Sequence, residues 1–167
     1  SYIIQEFAYD SYPSTISGVL PFSGDNDVTS INNVSLMDTR TNGLLTWEKD
    51  AMLDGTGYAE RTYHYDGKGR LIRTATKYNS GGFNVLSLRY DYGGNIICHH
   101  EVSSADGSLT GIHTLVKEYT YDAQGRMLNC VSTLDETYEA TVEYEYDDLG
   151  RLIARCNITT EGEEIEE

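Results

Sequence analysis

Polar and apolar residues alternate with period two along much of this chain. In Val142-Glu143-Tyr144-Glu145-Tyr146-Asp147 the apolar side chains fall at every second position and the acidic ones between them. That period belongs to a β-strand with two unlike faces. Almost no segment sustains the 3.6-residue apolar spacing of a helix, so the pattern predicts little helix. Turn signals punctuate the strands. Asp-x-x-Gly stands at 66–69, 91–94, 122–125 and 147–150. Asp favours the first position of a type I turn, and Gly takes the left-handed conformation of the bulge that follows. A second set of turn signals lies between these hairpins: Asn79-Ser80-Gly81-Gly82, Ala105-Asp106-Gly107-Ser108 and Leu134-Asp135-Glu136-Thr137. The pattern predicts an all-β fold, an antiparallel β-meander of repeated hairpins with about 10–12 strands. Such a meander forms a single sheet, twisted or curled, either open or partly closed. The Tyr/Leu face is expected to be the inner one.

The hairpins are copies of one another. Tyr63-His64-Tyr65-Asp66-Gly67-Lys68-Gly69-Arg70-Leu71 returns as Tyr144-Glu145-Tyr146-Asp147-Asp148-Leu149-Gly150-Arg151-Leu152. Tyr119-Thr120-Tyr121-Asp122-Ala123-Gln124-Gly125-Arg126-Met127 differs in its last residue, and Leu88-Arg89-Tyr90-Asp91-Tyr92-Gly93-Gly94-Asn95-Ile96 is a weaker copy. The Tyr before each Asp falls at 65, 90, 121 and 146, so the copies are 25, 31 and 25 residues apart. A regular period of this size marks a repeat architecture. Phe7-Ala8-Tyr9-Asp10 and the 36–45 region read as two degenerate earlier copies, or else as an N-terminal cap. The chain thus divides into 1–57, degenerate repeats or cap; 58–160, the hairpin repeats; and 161–167, an acidic tail expected to be solvated or frayed.

Turn geometry assigns structural roles to the recurring residues. Asp66 should face Arg70, Tyr65 should face Leu71, and His64 should face Ile72. The same logic pairs Asp122 with Arg126 and Asp147 with Arg151. Such a cross-strand ion pair is worth roughly 0.2–1 kcal/mol and helps fix register. In the weak copy Asn95 replaces Arg, leaving a hydrogen bond to Asp91. Parity along the strands places Cys98 and Cys156 on the Tyr/Leu face and Cys130 on the other, opposite Glu118.

The repeated Tyr-x-Tyr-Asp-x-x-Gly-Arg-Leu resembles the RHS/YD-repeat family, found in bacterial wall-associated and polymorphic-toxin proteins and in animal teneurins. The likeness is good over about residues 58–160 and poor over 1–57. It implies hairpins joined into a continuous spiralling sheet, which in large members encloses a cargo. Some members bind carbohydrate. With four to six hairpins, what the resemblance implies here is a β-sheet scaffold in an extracellular, cell-surface or periplasmic (bacterial) setting. The structural repeat set is then Tyr63, Tyr65, Asp66, Gly69 and Arg70; Tyr90, Asp91 and Gly94; Tyr119, Tyr121, Asp122, Gly125 and Arg126; and Tyr144, Tyr146, Asp147, Gly150 and Arg151.

Composition narrows the chemistry. The net charge is −15 over 167 residues. Nucleic acid and anionic membranes both demand a cationic face, so neither is an expected partner. No apolar run reaches membrane-spanning length, so no membrane insertion is expected. Fourteen tyrosines against one Trp and three Phe suit a half-wet sheet face. Cys98, Cys130 and Cys156 include no Cys-x-x-Cys, and buried thiols acting as small apolar groups are the expectation. His64, His99, His100 and His113 lack metal-ligand spacing, and Ser23-Gly24-Asp25-Asn26-Asp27 lacks the calcium-loop register. No metal, cofactor or catalytic residue is therefore expected. Glu143 and Glu145 share a strand face at a separation that glycoside hydrolysis could use, though a solvated acidic face is the plainer reading. Tyr92 replaces a turn residue and is the candidate for an exposed ligand contact. The sequence reads as a non-enzymatic scaffold or interaction module. A carbohydrate-binding module is the alternative, and a glycan-cleaving enzyme using Glu143 and Glu145 the remoter one. The expected partner is a protein or glycan, and the chain is a monomer or an edge-paired dimer.

Overall fold

A computed structural model describes residues 4–13, 40–52, 55, 57–108, 110–159 and 164–166. Among these residues there is no helix. The strands are β1 (Gln5–Asp10), β2 (Thr41–Ala51), β3 (Tyr58–Tyr65), β4 (Leu71–Tyr78), β5 (Phe83–Tyr90), β6 (Ile96–Ser104), β7 (Ile112–Tyr121), β8 (Met127–Leu134), β9 (Tyr138–Tyr146), β10 (Leu152–Thr159) and β11 (Glu164–Glu166). They follow chain order in one open antiparallel sheet, with β1 and β11 at its edges. The meander expected from period two is thus the observed fold. Glu164–Glu166 depart from the expected free tail: they pair with Ile158, Asn157 and Cys156. An unpaired row of backbone groups on β10 invites such an addition.

The chain forms two compact units, residues 1–88 with 101–113, and 89–100 with 114–167. In the first, the buried positions include Ile72, Ala75, Val85, Leu88 and Val102, together with Thr62, His64, Arg73, Thr76 and Ser87. Thr62, His64, Ala75, Arg73, Val85 and Ser87 are cross-strand partners on β3, β4 and β5. Tyr63 and Tyr65, on the opposite face, are only half-buried. Here the expectation of a Tyr/Leu inner face is corrected. Tyr12 stacks on the His64 ring at 5.2 Å between centroids, and its hydroxyl donates to the Tyr63 carbonyl at 2.6 Å. Tyr12 therefore covers His64 on the face that alternation marks as polar.

In the second unit the tyrosine face is the drier one. Val142, Tyr144 and Tyr146 are half-buried while Glu143 and Glu145 are exposed, and Tyr119 and Tyr121 are half-buried while Glu118 and Thr120 are exposed. None of the described side chains of β7–β10 is fully buried. A sheet with both faces wet suits tyrosine, whose ring packs while its hydroxyl meets water.

Three of the repeats carry one residue more than a plain hairpin. His64 pairs with Arg73 but Tyr65 with Leu71, so Ile72 is extra. Thr120 pairs with Asn129 but Tyr121 with Met127, leaving Leu128. Ile153 is left over between Leu152, opposite Tyr146, and Ala154, opposite Glu145. These bulges correct three expectations, because a one-residue slip reverses facing partners. His64 faces Arg73 and not Ile72. Cys130 faces Tyr119 and not Glu118. Cys156 faces Glu143, which puts it on the acidic face and not on the Tyr/Leu face.

Tyr9-Asp10 and Asn42-Gly43-Leu44-Leu45 are the two arms of one hairpin. Tyr9 pairs with Leu45, as Tyr65 pairs with Leu71, and Asp10 pairs with Thr41. The Asp10 carboxylate accepts from the Gly43 amide, and Gly43 has φ +78°. The residues that separate the arms replace the short turn of the other repeats. Leu36-Met37-Asp38, read as part of a separate copy, lies outside the described residues, as does the Ser23–Asp27 stretch.

Candidate functional site

The recurring side chains build the turns and join one hairpin to the next. In the first full copy the Asp66 carboxylate accepts from the Lys68 and Arg70 amides, each at 2.9 Å, and from Arg70 Nε at 2.7 Å. Asp122 does the same with Gln124 and Arg126, and Asp147 with Leu149 and Arg151. In the weak copy Asp91 accepts from the Gly94 and Asn95 amides, and Asn95 Nδ2 replaces the guanidinium at 2.8 Å. Gly69, Gly94, Gly125 and Gly150 all have positive φ, between +77° and +100°. One carboxylate therefore closes a turn, satisfies two amides and holds an arginine. Burial raises the Asp66 pKa, but the bonds from Arg70 and Lys68 outweigh it and hold the carboxyl below the usual range. Asp122 shows the same balance. At Asp147 the Arg151 amide and guanidinium lower the pKa, and at Asp91 the Asn95 side chain does.

The second Tyr of a repeat reaches into the preceding hairpin. Tyr65 donates to the Leu45 carbonyl at 2.7 Å, Tyr121 to Ile96 at 2.7 Å, and Tyr146 to Met127 at 2.9 Å. All three acceptors hold the same place, directly after the Arg position. The Arg126 guanidinium also lies 4.8 Å above the Tyr146 ring. The motif tyrosines are thus hydrogen-bonded joints, which periodicity alone does not reveal. The first Tyr of the motif works within its own face: Tyr63 donates to Glu48 at 2.8 Å beside Arg61, which is ion-paired with Glu48.

One cleft was not foreseen from the sequence. It has a volume of about 370 Å³ and lies in the first unit, lined by Lys49, Tyr58, Glu60, Lys77, Tyr78 and Asn79, with Gly81 at its margin. Lys49 and Lys77 each stand opposite Glu60 across the sheet. Lys49 Nζ is 3.6 Å from the Glu60 carboxylate and 4.3 Å from the centre of the Tyr58 ring. Tyr58 and Tyr78 are each more than a third exposed. Close-packed turns shape the rim. A Cβ on Gly57 would lie 2.5 Å from the Asn79 side chain, and one on Gly81 would lie 3.0 Å from the Asp106 carbonyl oxygen. The Asn79 amide donates to the Tyr58 carbonyl at 3.0 Å. The signal available in the sequence was the Tyr58/Tyr78 pair flanked by lysines, but only the cross-strand register brings them together.

The remaining sequence candidates lie apart. Tyr92 is 97 % exposed at its turn tip. Glu143 and Glu145 sit side by side on an exposed strand face with no enclosing wall among the described residues. No group of three or more His, Cys, Asp or Glu able to hold a metal occurs among the described residues. Cys98, Cys130 and Cys156 form no disulfide, and burial pushes the Cys98 thiol upward in pKa. His64 is pushed down to about 4, first by burial and then by the Arg73 charge, and burial beside Tyr65 raises Tyr12 to about 12. No helix among the described residues is long and apolar enough to cross a membrane.

No curated protein matches the chain. The family model described as Teneurin YD-shell matches residues 22–163. That span takes in four of the five hairpins whole and the second arm of the first. With the turn clasps and tyrosine joints repeating through the same span, the chain belongs to the teneurin YD-shell family.

Proposed function

We propose that this chain is a non-enzymatic YD-repeat scaffold that acts as an interaction module in an extracellular or cell-surface setting. One observation carries the reading. The side chains that recur from repeat to repeat are engaged with one another, carboxylate to guanidinium and hydroxyl to carbonyl, and do not converge on a cleft. Recurrent chemistry of this kind serves register and joint stiffness. Glu143 and Glu145 stand on an exposed strand face and not in the cleft that a catalytic carboxylate pair uses. Incubating the full chain with oligosaccharide panels and following product release tests the assignment. Turnover that Glu143→Gln or Glu145→Gln abolishes, with the fold retained, would overturn it.

A carbohydrate-binding module is the second reading, and the Lys49–Tyr58–Lys77–Tyr78 cleft favours it. Two accessible tyrosine rings beside charged and amide groups suit a sugar ring, which offers an apolar face and hydroxyls. A thermal-shift screen against oligosaccharides tests this. Ligand at one hundred times its dissociation constant should add about 2.7 kcal/mol of stability, and the shift should vanish in Tyr58→Ala.

A further inference from the structure

The two edges of the sheet carry the two halves of the joint that links hairpins within it. Inside the second unit that joint is complete. Tyr146 donates to the Met127 carbonyl, Arg126 lies on the Tyr146 ring, and β8 pairs with β9 from Asn129 opposite Glu143 onward. At the last hairpin the accepting half recurs. Leu152 follows Arg151 as Met127 follows Arg126. The Arg151 side chain is 74 % exposed, against 33 % for Arg126 and 28 % for Arg70. Leu152 and Ile153 are 54 % and 63 % exposed, and the ladder between β10 and β11 reaches no nearer to them than Cys156.

The donating half lies on β1. Phe7 and Tyr9 take the places that Tyr144 and Tyr146 take on β9, since Tyr9 pairs with Leu45 as Tyr146 pairs with Leu152. Phe7 is 49 % and Tyr9 55 % exposed. Charge agrees: β1 brings Glu6 and Asp10, while Arg151 and Arg155 line the accepting edge. Exposed strand edges with complementary side chains are sites of strand addition.

We propose that this chain associates head to tail, β1 of one copy adding antiparallel to the β10 edge of another, with Tyr9 donating to the Leu152 carbonyl and Arg151 lying on the Tyr9 ring. The register of β8 on β9 sets Glu6 opposite Ala154 and Gln5 opposite Arg155; Ile4 then meets Cys156, so the incoming strand displaces Glu166 of β11 from that residue. The interface is heterologous, so each copy keeps one donor and one acceptor edge. The net charge of −15 opposes close approach, so association is expected at physiological salt, where the screening length is about 8 Å.

Sedimentation equilibrium of the full chain over a hundredfold concentration range at 0.15 M salt tests this. The expected result is a weight-average mass rising above 18.7 kDa with concentration. Tyr9→Phe should weaken association about five- to tenfold through loss of one hydrogen bond. Tyr9→Lys and Arg151→Ala should each remain monomeric alone. Mixed one to one they should form a species of twice the monomer mass, because each supplies the edge that the other lacks. Circular dichroism and melting of each variant check the fold, and Arg155→Glu serves as the acceptor-edge variant if Arg151→Ala unfolds. A wild-type mass that stays monomeric throughout would overturn the proposal. So would self-association that survives either blocking variant, or a mixture that forms no dimer.

Discussion

The Tyr146 hydroxyl donates to the Met127 carbonyl at 2.9 Å, from one hairpin into the one before it. The same bond joins Tyr121 to Ile96 and Tyr65 to Leu45. A hydroxyl deletion isolates it. Tyr146→Phe, Tyr121→Phe and Tyr65→Phe should each cost about 0.5–1.5 kcal/mol. Their urea midpoints should fall with m unchanged. An unchanged midpoint in all three would remove the joint from the account of stability.

Acid should act first on His64. Its pKa is about 4 in the folded chain, against an ordinary value of 6.5. Between those values the unfolded chain binds a proton that the folded chain does not. Stability therefore falls as pH drops from 6.5 to 4, by about 3 kcal/mol at the full extent. Asp66, Asp91, Asp122 and Asp147 have folded pKa values below their ordinary 3.8, so their contribution is present above that pH and is lost as pH falls through the folded values. Melting curves between pH 7 and 4 should slope downward, and His64→Gln should flatten that slope.

Two glycines separate backbone conformation from crowding. Gly69 has φ +77° with open space where a Cβ would go, while Gly107 has φ +80° with the Gly81 carbonyl oxygen 2.5 Å from that position. Gly69→Ala should cost about 1–2 kcal/mol, the penalty of a left-handed alanine. Gly107→Ala should cost more, because the clash falls on backbone. Equal losses in denaturant titrations would mean that the turn around Gly81 yields freely.

A stabilising change is available in the turn after β8. Asp135 and Glu136 both have positive φ, at 50° and 56°. A two-residue turn with that geometry favours Gly at its second position. Glu136→Gly should raise stability by about 0.5–1 kcal/mol, the relief of positive φ less the added freedom of the unfolded chain. Asp135 should be kept, since its carboxylate accepts from the Thr114 amide at 2.7 Å.

Strand order, turn positions and the Asp–Arg clasps were legible because each depends on residues a few positions apart. The further bulges in the second strands were not. Ile72, Leu128 and Ile153 look like ordinary strand residues, and only pairing with the neighbouring strand reveals them as extra. One missed residue per hairpin was enough to misplace His64, Cys130 and Cys156. The drier face of the first unit was hidden for another reason: Tyr12, 52 positions before His64, packs on it. The cleft escaped likewise, since Lys49, Glu60 and Lys77 converge only through cross-strand register.

The first hairpin differs from the others in the length of chain between its arms. Asp10 and Gly43 close over 33 positions, whereas Asp66 and Arg70 close over four. Closure entropy grows by about 0.6 kcal/mol for each doubling of length, so this hairpin starts about 2 kcal/mol behind the rest. Local contacts form faster than distant ones. The order of events should therefore run against the direction of synthesis. The four hairpins whose turns close over four positions nucleate early, and β1 is added last as the slowest step of assembly. Trp47 pairs with Ala8 across that late joint and with Thr62 on β3, so a stopped-flow trace should carry this last phase after an earlier one from β2–β3 pairing.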